Sequence, residues 1–238
     1  MFPAPLETGT IISRPNRFIM LVDSKGKTLR CHCPTTGRLG DLDVVGLPCL
    51  YSTASGAKRK TAYTVEAIST SRSGRSWVGI NQTAVNRYFE FFARSGALSR
   101  MVRGDLRREV KLGGSRIDFL IGGAYVEVKT PLITLPASSK VPRVRRSRFD
   151  SFDRLIRHMN ELRGALAGGS RAIIVLCYLY DAKPFRPPRP DKTNSRILAA
   201  ARKAQAAGVE RWQVNMKVDA RGVSLTRYFM SGPYPRAR

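Results

Sequence analysis

The sequence predicts a mixed α/β chain in two parts, a small β-barrel over residues 1–75 followed by a helix, three strands, helix, strand (αβββαβ) domain over residues 76–238. Three observations predict it. The first seventy residues alternate apolar and polar side chains in short pieces separated by Gly-containing turns, without helical period. Residues 115–130, SRIDFLIGGAYVEVKT, read as two strands joined by a Gly-Gly turn. Segments on either side of that hairpin carry apolar residues at helical spacing.

Taken in order, Thr10 to Ile12, Phe18 to Val22, Thr28 to Cys33, Pro48 to Ser52 and Tyr63 to Ile68 are the barrel strands, with turns at Asp23 to Gly26 and Pro34 to Gly37. Thr70 to Ser76, TSRSGRS, is polar and aperiodic and reads as a linker. Asn81 caps a helix whose buried stripe is Val85, Tyr88, Phe89 and Phe92, closed by Gly96. Leu106 to Lys111, Arg116 to Ile121 and Ala124 to Lys129 are strands. After a long basic stretch, Asp150 or Ser151 caps a second helix with Phe152, Leu155, Ile156, Met159, Leu162 and Leu166 inward and Gly168-Gly169 at its end. Ala172 to Tyr180 is an unbroken apolar run, as in a strand covered on both faces. A Pro-rich turn region, a helix over 194–207 ended by Gly208, and strands over 209–218 and 223–230 complete the chain before a tail of eight residues.

Lys and Arg outnumber Asp and Glu by 42 to 17 in 238 residues, a formal charge of +25. Such an excess repels itself in the folded state, so a polyanionic partner is expected. Nucleic acid is favoured over an acidic membrane surface, because no long apolar stretch, lipidation motif or isolated basic amphipathic helix occurs. The start MFPAPLETG has neither the basic residues nor the apolar run of a signal peptide, which predicts a cytoplasmic chain. Cys31, Cys33, Cys49 and Cys177 form no disulfide framework; C-H-C in a strand puts Cys31 and Cys33 on one face as buried thiols rather than zinc ligands.

In the hairpin, Gly122 and Gly123 as turn residues put Asp118 directly across from Glu127. Ile117, Phe119, Ile121, Ala124, Val126 and Val128 then share the core face, and Asp118, Leu120, Tyr125, Glu127 and Lys129 the other. Two carboxylates roughly 4.5 to 5.5 Å apart at Cβ destabilise a sheet unless neutralised. A divalent cation would neutralise them. Asp118 followed by Glu127-Val128-Lys129, within the αβββαβ order, resembles the PD-(D/E)xK nuclease fold. Hard oxygen ligands suit Mg²⁺ or Mn²⁺ held by Asp118 and Glu127, and Lys129 would orient a water or offset charge developing on phosphorus. Glu109 on the preceding strand, or Glu90 on the first helix, would complete the shell, with Glu109 favoured for its nearness to the hairpin. A surface ladder of alternating charge is the plain alternative.

Several stretches together resemble the sugar fermentation stimulation protein A (SfsA) family: Asn16-Arg-Phe18, His32-x-Pro-x-Thr-Gly-Arg38, Lys58-Arg-Lys-Thr61 with Tyr63, Trp77-Val-x-Ile-Asn81, Asn86, Arg108-Glu109, Ser115-Arg-Ile-Asp-Phe119 and Tyr125-Val-Glu-Val-Lys129. The resemblance implies an OB-type barrel joined to a PD-(D/E)xK-type domain, sequence-nonspecific DNA binding and, for some members, a part in sugar-utilisation gene control. The chain departs from the family pattern at Thr35, where Asn is usual, and in the second helix. There Phe149-Asp150-Ser151 and Arg154-Leu-Ile-Arg-His-Met159 stand at shorter spacing, without the family's Pro and Gly. His158 reads more readily as a partly exposed helix histidine than as a group at phosphate.

Residues 1–80 carry 11 basic and 5 acidic side chains and residues 81–238 carry 31 and 12, so most of the positive field belongs to the second part. Lys140, Arg143, Arg145, Arg146 and Arg148 form an acid-free run between the hairpin and the second helix and are expected to clamp phosphates, with Arg157 beside them. Lys58, Arg59 and Lys60 form a second patch on the barrel, and Arg17 and Phe18 would add phosphate attraction and base stacking. The expectation is nonspecific DNA binding by a cytoplasmic, nucleoid-associated protein that retains a metal-dependent phosphodiesterase site. A DNA-binding regulator that cuts nothing is the competing expectation, and an RNA partner and homo-oligomerisation stay open.

Overall fold

The computed structural model describes residues 5–35, 39, 42–53, 60–71, 73–74, 76–132, 135–136, 141 and 152–232. Strands β1 (Glu7–Asn16), β2 (Ile19–Ser24), β3 (Lys27–His32), β4 (Pro48–Thr53) and β5 (Tyr63–Ser69) close on themselves. β1 pairs antiparallel with β2 and β4, β4 with β5, and β3 joins β5 in parallel at Cys31↔Tyr63 and His32↔Thr64. The result is a five-stranded OB-like barrel. Alternation fills its interior with Ile11, Met20, Val22, Cys31, Cys49, Tyr51 and Val65. All four cysteines are free and buried, as the thiol reading expected.

The polar segment after β5 is a turn and not a linker. Thr70 N–H donates to Ser76 O (2.9 Å), and β6 (Trp77–Gly79) folds back to pair with β5. The first sheet therefore ends after residue 79, beyond the expected boundary at 75. A polar, aperiodic composition suits a hairpin turn as well as a linker, and only the pairing of Trp77 with Ser69 separates the two.

Asn81 accepts a bond from Ala84 N–H and starts a short 3-10 turn (Gln82–Ala84) that runs into α1 (Val85–Arg94). Next come β7 (Leu106–Leu112), β8 (Ser115–Ile121), β9 (Ala124–Lys129), α2 (Asp153–Ala167), β10 (Arg171–Tyr178), α3 (Ser195–Ala206), β11 (Glu210–Asp219) and β12 (Gly222–Met230). Their six strands make one sheet in the order β12-β11-β10-β9-β8-β7. β9, β10 and β11 run parallel, and β7–β8–β9 and β11–β12 are antiparallel. α2 begins at Asp153, and the caps expected at Asp150 and Ser151 lie outside the described residues. Among the described residues, no helix is long and apolar enough to cross a membrane.

α1 packs Val85, Tyr88, Phe89 and Phe92 against Phe119, Val126, Val175 and Val214 on one face of this sheet. α2 and α3 cover the other face through Met159, Leu162, Ala201 and Ala204. Ile117, expected beside Phe119 on one face, is buried in the α2–α3 layer instead.

Barrel and sheet share a core. Leu50 and Ala67 of the barrel belong to the α1 cluster, while Leu132, Leu135, Val141, Tyr178 and Tyr180 belong to the barrel cluster. At the seam Gly79 N–H donates to Leu179 O (2.9 Å), and Leu6 N–H donates to Ala220 O (2.7 Å).

Candidate metal and phosphodiester site

The hairpin turn is made by Gly122 (φ 52°) and Gly123 (φ 84°), both left-handed. Gly122 is required twice over, since a Cβ there would lie 1.9 Å from Arg103 O. The turn sets the register 121↔124, 120↔125, 119↔126, as the sequence expected. Pairing stops there, one step short of Asp118 and Glu127.

At that point side chains take over from the ladder. Val128 N–H donates to Asp118 Oδ2 (2.7 Å), and Asp118 N–H reaches Glu127 Oε2 (3.4 Å). The other side of β8 is irregular too: between the pairs Arg108↔Phe119 and Val110↔Ile117, Glu109 adopts φ 52°. A left-handed glutamate inside a strand is strained backbone next to the carboxylates.

Each acid is held from a helix as well. Asn86 of α1 donates from Nδ2 to Asp118 Oδ1 (2.8 Å). Glu127 is buried, and its Oε1 lies 2.5 Å from both Lys129 Nζ and His158 Nδ1 of α2. Burial and then the charge of Glu127 push the Asp118 carboxyl above the usual range, against the pull of Val128 N–H, Asn86 and Lys129. Burial, with the charge of Asp118 added, also raises the thiol of Cys177 on β10. Gln82 Nε2 donates to Thr130 O (2.9 Å) and fixes the end of β9. Its neighbour Asn81 donates to Glu66 Oε2 (2.7 Å), which ties the barrel to the same place.

The structure therefore brings Asp118, Glu127 and Lys129 together. Glu109 is exposed on β7, and Glu90 is engaged by Arg94 (2.9 Å) and Arg108 (3.1 Å). Among the described residues, no group of three or more His, Cys, Asp or Glu side chains is placed to hold a metal ion. His158 is 2 % exposed, which corrects the reading of a partly exposed helix histidine. Its spacing was the available signal: it lies three residues after Leu155 and four before Leu162, on the buried arc of α2. Asn86 had no local signal for its role.

Of the expected nucleic-acid contacts, Arg17 and Phe18 are exposed in the turn between β1 and β2, with the guanidinium 4.7 Å over the ring. Lys60 and Arg157 are exposed. Lys58, Arg59, Lys140, Arg143, Arg145, Arg146 and Arg148 lie outside the described residues.

Residues 12–80 match the family model described as the SfsA N-terminal OB domain, and residues 83–222 match the sugar fermentation stimulation protein RE domain. The sugar fermentation stimulation protein homolog of Methylobacterium radiotolerans is 32 % identical over 234 residues, covering 94 % of this chain and 95 % of that protein. The homolog from a Synechococcus strain is 31 % identical, covering 93 % and 91 %. A solved structure of Pyrococcus furiosus SfsA in complex with Ca²⁺ superposes with a TM-score of 0.77 at 24 % identity, covering 99 % of this chain and 98 % of that one. That likeness extends to the fold. With both halves matched in order and near-complete coverage in each relative, the chain belongs to the sugar fermentation stimulation protein (SfsA) family.

Proposed function

We propose that this protein binds DNA without sequence preference in the cytoplasm and retains a Mg²⁺- or Mn²⁺-dependent phosphodiesterase site of PD-(D/E)xK type at Asp118, Glu127 and Lys129. One observation carries the reading: two carboxylates are forced together where β8 and β9 stop pairing, and a lysine stands beside them.

The donor set fits a hard divalent cation. Mg²⁺ is commonly bound by one or two carboxylates, with waters and substrate phosphate filling its other positions, so a two-residue set suffices. Partial burial first and the charge of Glu127 second raise the Asp118 carboxyl, and a cation would relieve the like charge. Held there, the ion would polarise a phosphodiester oxygen as a Lewis acid. Asn86 and Val128 N–H keep Asp118 oriented, and His158 keeps Glu127 oriented. The Lys129 ammonium is positioned to hold a water or to offset charge developing on the phosphoryl oxygens. Arg17, Phe18, Lys60 and Arg157 would supply phosphate and stacking contacts away from the reacting group.

A second reading, a DNA-binding regulator that cuts nothing, is favoured by the engagement of Glu127 Oε1 with both Lys129 and His158, a network that closes without a cation. The test incubates pure protein with supercoiled, linear, single-stranded and branched DNA and Mg²⁺ or Mn²⁺, beside Lys129→Ala and Asp118→Asn. Cleavage lost in both variants supports the enzyme. Binding without cleavage supports the regulator, and a preference for RNA over every DNA form overturns both.

A further inference from the structure

A cavity of about 320 Å³ lies beside Lys129, between the sheet and helices α2 and α3. Lys129 and Thr130 line it, so it adjoins the carboxylate pair. Most of the remaining wall is apolar, with Leu155 and Met159 from α2, Leu176 from β10 and Ile197 from α3. Phe185 closes part of it, pinned by a bond from its N–H to Gln213 Oε1 (2.8 Å).

A second cation completes the lining. Arg211 of β11 is 8 % exposed, its guanidinium 5.9 Å from the Phe185 ring centroid, and its Nη2 donates to Gly232 O (2.6 Å). The acid that also lines the cavity, Glu210, is already bound by Arg171 (2.8 Å) and by Trp212 Nε1 (2.8 Å). The cavity thus combines apolar walls with two cationic groups, the Lys129 ammonium, which is shared with Glu127, and the Arg211 guanidinium. An occupant with a flat or apolar group next to a negative charge matches this lining.

We propose that this cavity takes the unpaired nucleobase next to the phosphodiester held at Lys129, which makes single-stranded or frayed nucleic acid the preferred substrate. The proposal rests on the phosphodiester reading of the carboxylate site. A base in a stacked duplex cannot enter a pocket under two helices, whereas an unpaired base enters without the cost of breaking a pair. The volume lies at the lower end of the range for small-molecule sites and suits one nucleotide unit.

The test measures binding, in Ca²⁺, of a single-stranded oligonucleotide, the same backbone with abasic sites, and the blunt duplex, with nicking of supercoiled DNA in Mg²⁺ followed in parallel. Wild type is expected to bind the intact single strand about 5- to 100-fold more tightly than the abasic one, the worth of a stacked base. Ala201→Phe and Ile197→Trp, which fill the cavity from α3, should bring that ratio close to one while duplex affinity is kept. Phe91→Ala, an exposed change on α1 across the sheet from the cavity, should keep the ratio. Equal binding of abasic and intact strands by wild type overturns the proposal, as does a ratio that collapses in Phe91→Ala or survives in a folded cavity variant. Nicking without base discrimination removes the cavity alone, and base discrimination without nicking removes the phosphodiesterase reading alone.

Discussion

His158 Nδ1 lies 2.5 Å from Glu127 Oε1, and both side chains are shut away from solvent. This contact joins α2 to β9 across 31 residues and fixes the direction of one of the two acids. His158→Ala leaves a buried carboxylate with one partner fewer, at a cost of about 1–3 kcal/mol. Urea unfolding should show that loss, and nicking should fall about 10- to 100-fold, as for other groups that orient metal ligands.

Asp118→Asn removes the half-buried member of a pair of close like charges and keeps an acceptor for Val128 N–H. Without divalent ions the variant is expected to melt above wild type, by about 2–4 °C for each kcal/mol recovered. Added Mg²⁺ should raise the wild-type melting temperature and leave the variant unchanged. Scanning calorimetry with and without the ion checks both.

Gly122→Ala and Gly123→Ala both place a side chain at positive φ, which costs about 1–2 kcal/mol. Only at Gly122 does the new Cβ meet the Arg103 carbonyl; at Gly123 it meets open space. Gly122→Ala should therefore be the more destabilising in urea titrations and should also weaken nicking, because the turn sets the register that places Asp118.

The positive charge predicts steep salt dependence. If about six to ten phosphates are neutralised, affinity for any DNA sequence falls about 10³- to 10⁵-fold between 50 and 200 mM salt. Fluorescence anisotropy against two unrelated sequences should give parallel slopes. A flat response removes nucleic acid as the partner.

Burial pushes the thiols of Cys31 and Cys49 up to about 12 and raises those of Cys33 and Cys177 as well. The thiolate is the reactive species, and raised values keep all four protonated at neutral pH. Labelling by iodoacetamide should be slow and nearly level between about pH 7 and 9 in the native chain, and complete in concentrated urea. Rapid native labelling would contradict the burial.

What the sequence disclosed is local. The Gly-Gly turn and the alternation of SRIDF and YVEVK are enough to give the hairpin register, because turn length fixes which residues oppose. The apolar spacing of α1 and α2 and the run at Ala172 likewise carry their own placement. The end of pairing at Asp118 and Glu127 is not local: it depends on Val128 N–H choosing a side-chain acceptor. Asn86 and His158 reach the site from helices 32 and 31 residues away, so no short window contains both partners. For β6, a polar stretch hid a turn that only its pairing with β5 reveals.

The seam at Gly79 turns the molecule into a gauge. Its N–H is bonded to Leu179 O, and Leu179 Cβ and Val218 Cγ2 would lie 2.5 and 2.7 Å from any Cβ added there, so the halves meet without room for a methyl group. The barrel that carries Arg17 and Phe18 is thereby packed directly onto the sheet that carries Asp118 and Glu127. Under the proposed function, a nucleic acid that touches both would have the spacing of its footprint set by the protein's dimensions and not by the order of its bases.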